Sequence, residues 1–264
     1  MANELTFVQK HEFLLRRLHS LTGLVPVGLY MCVHLATNAS ILNGVEAFQN
    51  AVYMIHSLGN ALVFVEWGAI FLPLLFHAIF GVYIAYSGQF NTSRYSTGKN
   101  WRYVLQRITG LVAFVFIFTH VAHMHGWFHV DFWLDLMQKM GLAQFKAYNA
   151  ASTAAAAMQG SLIWPILYLV GIAACVFHFA NGLWTMGITW GLWITPQAQK
   201  RADYIVWGIG GLVMLIGLSA LGGFMTLDPA KAQDIEDRMY RESVKSGRIV
   251  PNEHKLSHPV HGDE

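Results

Sequence analysis

Apolar residues gather in five long stretches separated by polar ones, at about 18–42, 61–87, 102–126, 162–190 and 204–227. Each is long enough to cross the hydrocarbon layer as a helix, which takes roughly 20 apolar residues for a thickness of about 30 Å. None has the short alternation of a barrel strand, and a lipid-facing segment must satisfy its own backbone, so all five read as helices. The pattern predicts an all-α integral membrane protein whose residues 1–227 form a five-helix transmembrane domain. Residues 228–264 then form a polar C-terminal extension.

Composition agrees: of 264 residues, 55% are hydrophobic and only 12% charged, half the charged fraction of an ordinary soluble domain. The net charge of +2 says little about partners, and no nucleic-acid partner is expected. The first stretch follows Arg16 and Arg17 and has no small-residue cleavage site, so it reads as a retained helix rather than a signal peptide. Basic residues also set an orientation. Lys10, Arg16 and Arg17 precede the first stretch, Arg94, Lys99 and Arg102 lie between the second and third, and Lys200 and Arg201 between the fourth and fifth. The connection from about 43 to 60 has no Lys or Arg, and that from about 127 to 161 has only Lys139 and Lys146. The positive-inside rule therefore expects a cytoplasmic N-terminus and a C-terminus, with its extension, outside.

Thirteen histidines occur, of which His123, His125 and His129 cluster at the outer end of the third stretch. Four lie well inside stretches, one on each of the first four helices: His34, His77, His120 and His178. A lone histidine inside a membrane is more often a packing residue than a ligand, but depth groups these four. Leu18 to His34, Ala61 to His77 and Leu162 to His178 are each sixteen steps, and Tyr103 to His120 is seventeen. At about 1.5 Å per residue, each lies roughly 24–26 Å from the side its helix enters. Successive helices alternate in direction, so His34 and His120 share the outer half, and His77 and His178 the inner half. Two histidine pairs, each from two helices, can provide two bis-imidazole haem sites in a bundle of the first four helices.

An internal repeat supports that pairing. "RRLHSLTGLVPVGLYMCVH" and "LQRITGLVAFVFIFTH" each place an arginine before Thr-Gly-Leu-Val and a histidine beyond it, while "FHAIFGVY" and "FHFANGLW" match each other. The repeat selects His120 over His123. Gly81 and Gly182 follow the inner histidines by one turn, where a missing side chain lets a macrocycle or a neighbouring helix approach. Cys32 and Cys175 form no Cys-x-x-Cys-His attachment site, so any haem is held noncovalently, as haem b. There is no phosphate loop, dinucleotide fingerprint or hydrolase nucleophile motif.

The blocks "FLLRRLHSLTGLVPVGLYMCVHL", "FLPLLFHAIFGVYIAY", "NWRYVLQRITGLVAFVFIFTHV" and "VFHFANGLWTMGITWGLWITPQAQ", within about residues 13–226, resemble the diheme cytochrome b anchor of B-type succinate:quinone oxidoreductases, the succinate dehydrogenase and fumarate reductase family. The resemblance implies a proximal haem on His77 and His178 and a distal haem on His34 and His120. It also implies an FAD-containing flavoprotein and an iron–sulfur subunit on the cytoplasmic face of a bacterial membrane, electron transfer to a membrane quinone, most simply menaquinone, and a dimer of complexes as one possible assembly. Succinate and fumarate chemistry then belongs to a partner chain. Arg17 and Arg107, in repeat-related positions, are candidate haem-propionate partners or positive-inside anchors. His19 and Ser20 have the same ambiguity near the iron–sulfur interface.

Two features depart from the family pattern. Some diheme fumarate reductases carry an acidic residue two positions before the fourth ligand, where this chain has Val176, and the polar tail from Asp228 lies beyond the resemblance. Glu66 is the one acidic residue deep in a stretch, eleven residues before His77 and so about three turns away on roughly the same face. It is a candidate proton donor or acceptor near an outer quinone site, against the reading of a hydrated carboxylate at the headgroup boundary. Two other classes compete. A diheme cytochrome b of a hydrogenase or formate dehydrogenase shares the helices but faces partners on the other side, and a haem-free, histidine-gated transporter predicts broken helices and isolated polar residues.

Overall fold

The structure, a computed structural model, describes residues 6–128 and 130–260. His129 and the last four residues of the C-terminal extension lie outside the described residues. Helix is the only regular structure among those described, and five helical segments are long and apolar enough to cross a membrane: Phe7–Asn43, Ala61–Tyr86, Gly98–Met124, Ile163–Thr189 and Pro196–Thr226. The first, third and fifth begin well before their apolar runs. Hydropathy stops where water begins, whereas a backbone ladder continues to its cap. Thr6 supplies that cap for the first span, accepting from Gln9 N–H while the Gln9 side chain accepts from Thr6 N–H. Many large apolar side chains on the spans are exposed, among them Phe64, Ile79 and Phe118, as surfaces meeting lipid must be.

Two spans are not regular α-helices. Gly23–Gly28 and Glu66–Phe71 form π-helical turns, and the two segments pack against each other. Pro26 lies inside the first, where a wider turn accommodates a ring that cannot donate to the ladder. The second turn begins at Glu66 itself. Its i→i+5 bonding takes up an extra residue, so the three-turn α-helical register expected between Glu66 and His77 does not hold.

The chain divides into two compact units. The first contains the described residues of Met1–Cys32, Val63–Ala113 and Ala174–Val213. Trp184, Ala202 and Val206 form its core cluster, with Trp193 packed against it. The second contains the described residues of Val33–Leu62, Phe114–Ala173 and Met214–Glu264, so it gathers the first-to-second connection, the third-to-fourth connection and the tail.

Within the second unit, the connections and the tail build a folded cap. Asp228 starts the tail helix Pro229–Lys245 by accepting from Ala230 and Lys231 N–H, with Pro229 at its first position. The helix buries Ala232, Glu236, Tyr240 and Ser243, at near-helical spacing, against Ala150–Gln159 and Val45–His56. The facing helix reads "AASTAAAAMQ", and its small side chains permit close approach: Ala150, Ala151 and Ala155 are fully buried. The tail is thus an integral packing element, a role its polar composition conceals because a carboxylate occupies one of its core positions.

That carboxylate replaces a capping residue. Glu236 accepts from Ala151 N–H at 2.5 Å and from Ser152 Oγ at 2.5 Å, at the start of Ala150–Gln159, where helix N–H groups have no internal partner. Burial pushes its carboxyl up to about 7, against the lowering effect of these bonds. The chain end closes over the same place: Asn149 Nδ2 donates to Asp237, Ser257 N–H donates to Asn149 Oδ1, and His258 Nε2 lies 2.9 Å from Asp237 Oδ2.

Candidate functional site

The first unit brings the His77 and His178 rings to a centroid separation of 6.0 Å with planes crossing at 83°. Their orientation comes from the backbone of the facing helix. His77 donates from Nδ1 to the carbonyl oxygen of His19 at 2.9 Å, and His178 donates from Nδ1 to the carbonyl oxygen of Gln106 at 3.0 Å. Aligning Thr22-Gly23-Leu24-Val25 with Thr109-Gly110-Leu111-Val112 makes His19 and Gln106 equivalent, each three residues before its threonine. The sequence repeat is therefore a repeat of hydrogen bonding. A proton held at Nδ1 leaves the lone pair on Nε2, the tautomer needed for metal ligation.

Gly23 and Gly110 make this approach possible. A Cβ on Gly23 would stand 2.2 Å from His77 Cε1, and one on Gly110 2.8 Å from His178 Cε1. Gly81 instead makes room for His19, and Gly182 has only an ordinary contact with Gln106 at 3.5 Å. The closest histidine–glycine contacts thus lie on the helix opposite each histidine. His19 stacks flat on His77, with ring centroids 4.1 Å apart.

A polar chain fixes Gln106. Its side chain donates to the His178 carbonyl oxygen at 3.1 Å and accepts from Asn181 Nδ2 at 2.7 Å. Asn181 is fully buried and accepts from Arg102 Nε at 2.7 Å. Arg102 pairs with Asp203 and lies 3.9 Å over the Trp184 ring, so spans three, four and five meet in one network ending at His178. No motif signals this network, because its partners lie 72 to 101 residues apart.

Arg17 lies over the rings of Phe13 and Trp190, and Trp190 also donates to Ser20 Oγ at 3.4 Å. Arg107 covers Tyr103 at 3.4 Å, and its Nε is buried with no hydrogen-bond partner. In the register set by the two Thr-Gly-Leu-Val segments Arg107 corresponds to Ser20, three residues from Arg17 and almost one turn of helix. Glu66 lies within electrostatic reach of Tyr30 on the first span.

The second unit brings His34 and His120 to a centroid separation of 5.7 Å, with planes at 72°. Asn38 Nδ2 donates to His34 Nε2 at 3.1 Å, while His120 Nδ1 lies 3.0 Å from the Tyr168 hydroxyl. Phe116 packs on His120 at 5.7 Å, in space that exists because position 171 is glycine, where a Cβ would meet the Phe116 ring at 2.1 Å. Cys32 and Cys175 are free thiols.

The donor set of each pair, two imidazoles from different helices, fits haem iron: His77 with His178, and His34 with His120, would hold it. Two imidazoles are too few to hold a bare metal ion, so a bound group would have to bring further ligands of its own, as a porphyrin does.

No protein-family model matches the chain. It is 36% identical over 214 residues to the succinate dehydrogenase cytochrome b558 subunit of Bacillus subtilis (strain 168), a match covering 81% of this chain and 98% of that protein. Fifty residues of this chain, 264 less 214, fall outside the match. A relationship of that extent, together with five apolar spans, identifies the chain as a member of the cytochrome b membrane-anchor family of B-type succinate:quinone oxidoreductases.

Proposed function

We propose that this chain holds two b haems, one between His77 and His178 and one between His34 and His120, and conducts electrons between an iron–sulfur subunit and a membrane quinone, most simply menaquinone. The observation that carries the reading is the matched geometry of the two pairs, with centroids 6.0 and 5.7 Å apart and planes at 83° and 72°. Membership in a succinate dehydrogenase anchor family supports the partners: a flavoprotein with FAD and an iron–sulfur subunit, with the dicarboxylate chemistry on the flavoprotein.

Haem held by these histidines would supply one-electron redox chemistry. The residues of this chain do the rest. The His19 and Gln106 carbonyl oxygens hold the protons of His77 and His178 at Nδ1. Gly23 and Gly110 let the imidazoles come close to the facing helix. Asn38 holds His34 Nε2 by a hydrogen bond and would have to release that nitrogen for it to hold haem iron. Arg107, with a buried unpartnered Nε, and Arg17 are the propionate partners, and lipid-facing side chains exclude water from the path.

The location is a bacterial cytoplasmic membrane, and the distribution of lysine and arginine supports an orientation with the N-terminus and partner subunits inside and the cap outside. In that orientation electron transfer toward an outer quinone site runs across the membrane field, at about 2.3 kcal/mol per charge per 100 mV. Glu66 is the proposed proton carrier, and unchanged quinone reduction and pH dependence in Glu66→Gln would remove it from that role.

The test is a reduced-minus-oxidised visible spectrum with a pyridine-haem count on the purified complex, repeated for His77→Ala and His34→Ala. Two b haems per chain, with a different one lost in each variant, is the expected result. No haem, or loss of the same haem in both, overturns the assignment.

A further inference from the structure

His120 and His123 both place Nδ1 within hydrogen-bond distance of a single hydroxyl, that of Tyr168, at 3.0 and 3.1 Å. The group is shielded, with His123 1% and Tyr168 8% exposed. His123 lies flat on Trp164, with centroids 3.5 Å apart and planes 8° from parallel, and Phe116 meets Tyr168 edge-on at 5.3 Å. Among the described residues nothing equivalent exists at His77 and His178, which both bond to main-chain carbonyl oxygens.

A count of protons sets the direction of this chain. The phenol has one hydrogen to give, and each imidazole Nδ1 either donates or accepts. Tyr168 occupies Nδ1 of His120, so only Nε2 is left for iron, and a ligand bound through Nε2 keeps its proton on Nδ1. His120 Nδ1–H must then donate to the Tyr168 oxygen. The Tyr168 hydrogen in turn donates to His123 Nδ1, and His123 carries its own proton on Nε2.

We propose that Tyr168 is a positioning residue that, through its bond to His120 and with His123 behind it, sets the redox potential of the haem held by His34 and His120. The proposal rests on the two-haem reading above. A partner that pulls on Nδ1–H makes an imidazole more basic and more electron-donating, which favours ferric iron and lowers the potential. Tyr168 strengthens as an acceptor when it donates onward, because hydrogen bonds in a chain polarise one another. Removing the hydroxyl therefore raises the potential of one haem, and removing the His123 acceptor raises it by less.

The experiment is a spectroscopic redox titration of the purified complex, with haem counts, for the wild type, Tyr168→Phe, His123→Phe and the double variant. Phenylalanine preserves the packing of Tyr168 on Phe116 and a flat ring on Trp164. The affected haem is identified as the one missing in His34→Ala. Expected are two haems throughout, a higher midpoint for that haem in Tyr168→Phe, a smaller rise in His123→Phe, no further rise in the double variant, and a constant midpoint for the other haem. Unchanged midpoints in Tyr168→Phe, or equal shifts of both haems, overturn the proposal. If Tyr168→Phe loses a haem, the midpoint in His123→Phe decides, and no shift there overturns it. A wild type with fewer than two haems instead overturns the two-haem reading itself.

Discussion

Gly23 stands against the imidazole of His77 so closely that a single methyl group on its Cα would lie 2.2 Å from Cε1. Nothing short of a shift of the ring or the helix relieves that overlap. Overpacking of this kind costs about 1–3 kcal/mol. Gly23→Ala is expected to lower the melting temperature of the purified complex and to reduce the content of one haem. Gly222→Ala, at a helical position with nothing within 4 Å of the added atom, is the matched control and should leave both readouts unchanged.

Asn181 joins Arg102 to Gln106 with no exposure to solvent. Asn181→Leu keeps the branching and the number of heavy atoms and leaves Arg102 Nε and Gln106 Oε1 without partners. Each unsatisfied buried group costs about 1–3 kcal/mol, more where one is charged. A clear loss of thermal stability is expected, together with a spectral change confined to the haem lost in His77→Ala. Wild-type stability in this variant would show that water replaces the amide.

Glu236 gives the cap a pH dependence. Its carboxyl is raised from an ordinary value near 4.5 to about 7, first by burial and also by the neighbouring charge of Asp237, while hydrogen bonds from Ser152 and Ala151 oppose the rise. The folded cap therefore favours the protonated acid. Its stability is greatest below the unfolded value and falls as pH rises toward about 7. Across that interval the effect is on the order of 3 kcal/mol. Burial first, and then the charge of Glu236, raise the Tyr53 hydroxyl above its ordinary value. Hydrogen exchange in Ala150–Gln159 and Pro229–Lys245, corrected for the intrinsic rate, should show less protection at pH 7.5 than at pH 5. Glu236→Gln should flatten the difference.

Ala232 is fully buried in the tail helix. Ala232→Leu has no space to fill and is expected to loosen Pro229–Lys245 from its neighbours, at a cost of about 1–3 kcal/mol. Limited proteolysis measures this directly, with cleavage within 229–245 in the variant at protease levels that spare the wild type.

The spans were legible from hydropathy because a lipid-crossing helix has a long, uniform requirement that no tertiary contact can relax. Which histidines meet was legible for a related reason. A constant rise per residue turns step counts into depths, and the rings of His34 and His120, and of His77 and His178, stand 5.7 and 6.0 Å apart. The partners of those rings were not legible. A backbone carbonyl such as that of Gln106 carries no residue signature, and Tyr168 is 48 residues from His120 with no motif between them. The register between Glu66 and His77 also needed the structure, since no residue pattern marks the π-helical turn, which packs against its counterpart on the first span. Glu236 shows the limit most plainly: a charged residue in a polar tail reads as exposed, and only the N-terminus of a distant helix, supplying N–H groups without internal partners, makes its burial tolerable. Chain composition and periodicity determined the elements and their depths, because those follow from solvent and helix geometry alone. Tertiary structure decided which atoms face each histidine and how the cap closes, because those depend on side chains and main-chain groups brought together from far apart in the chain.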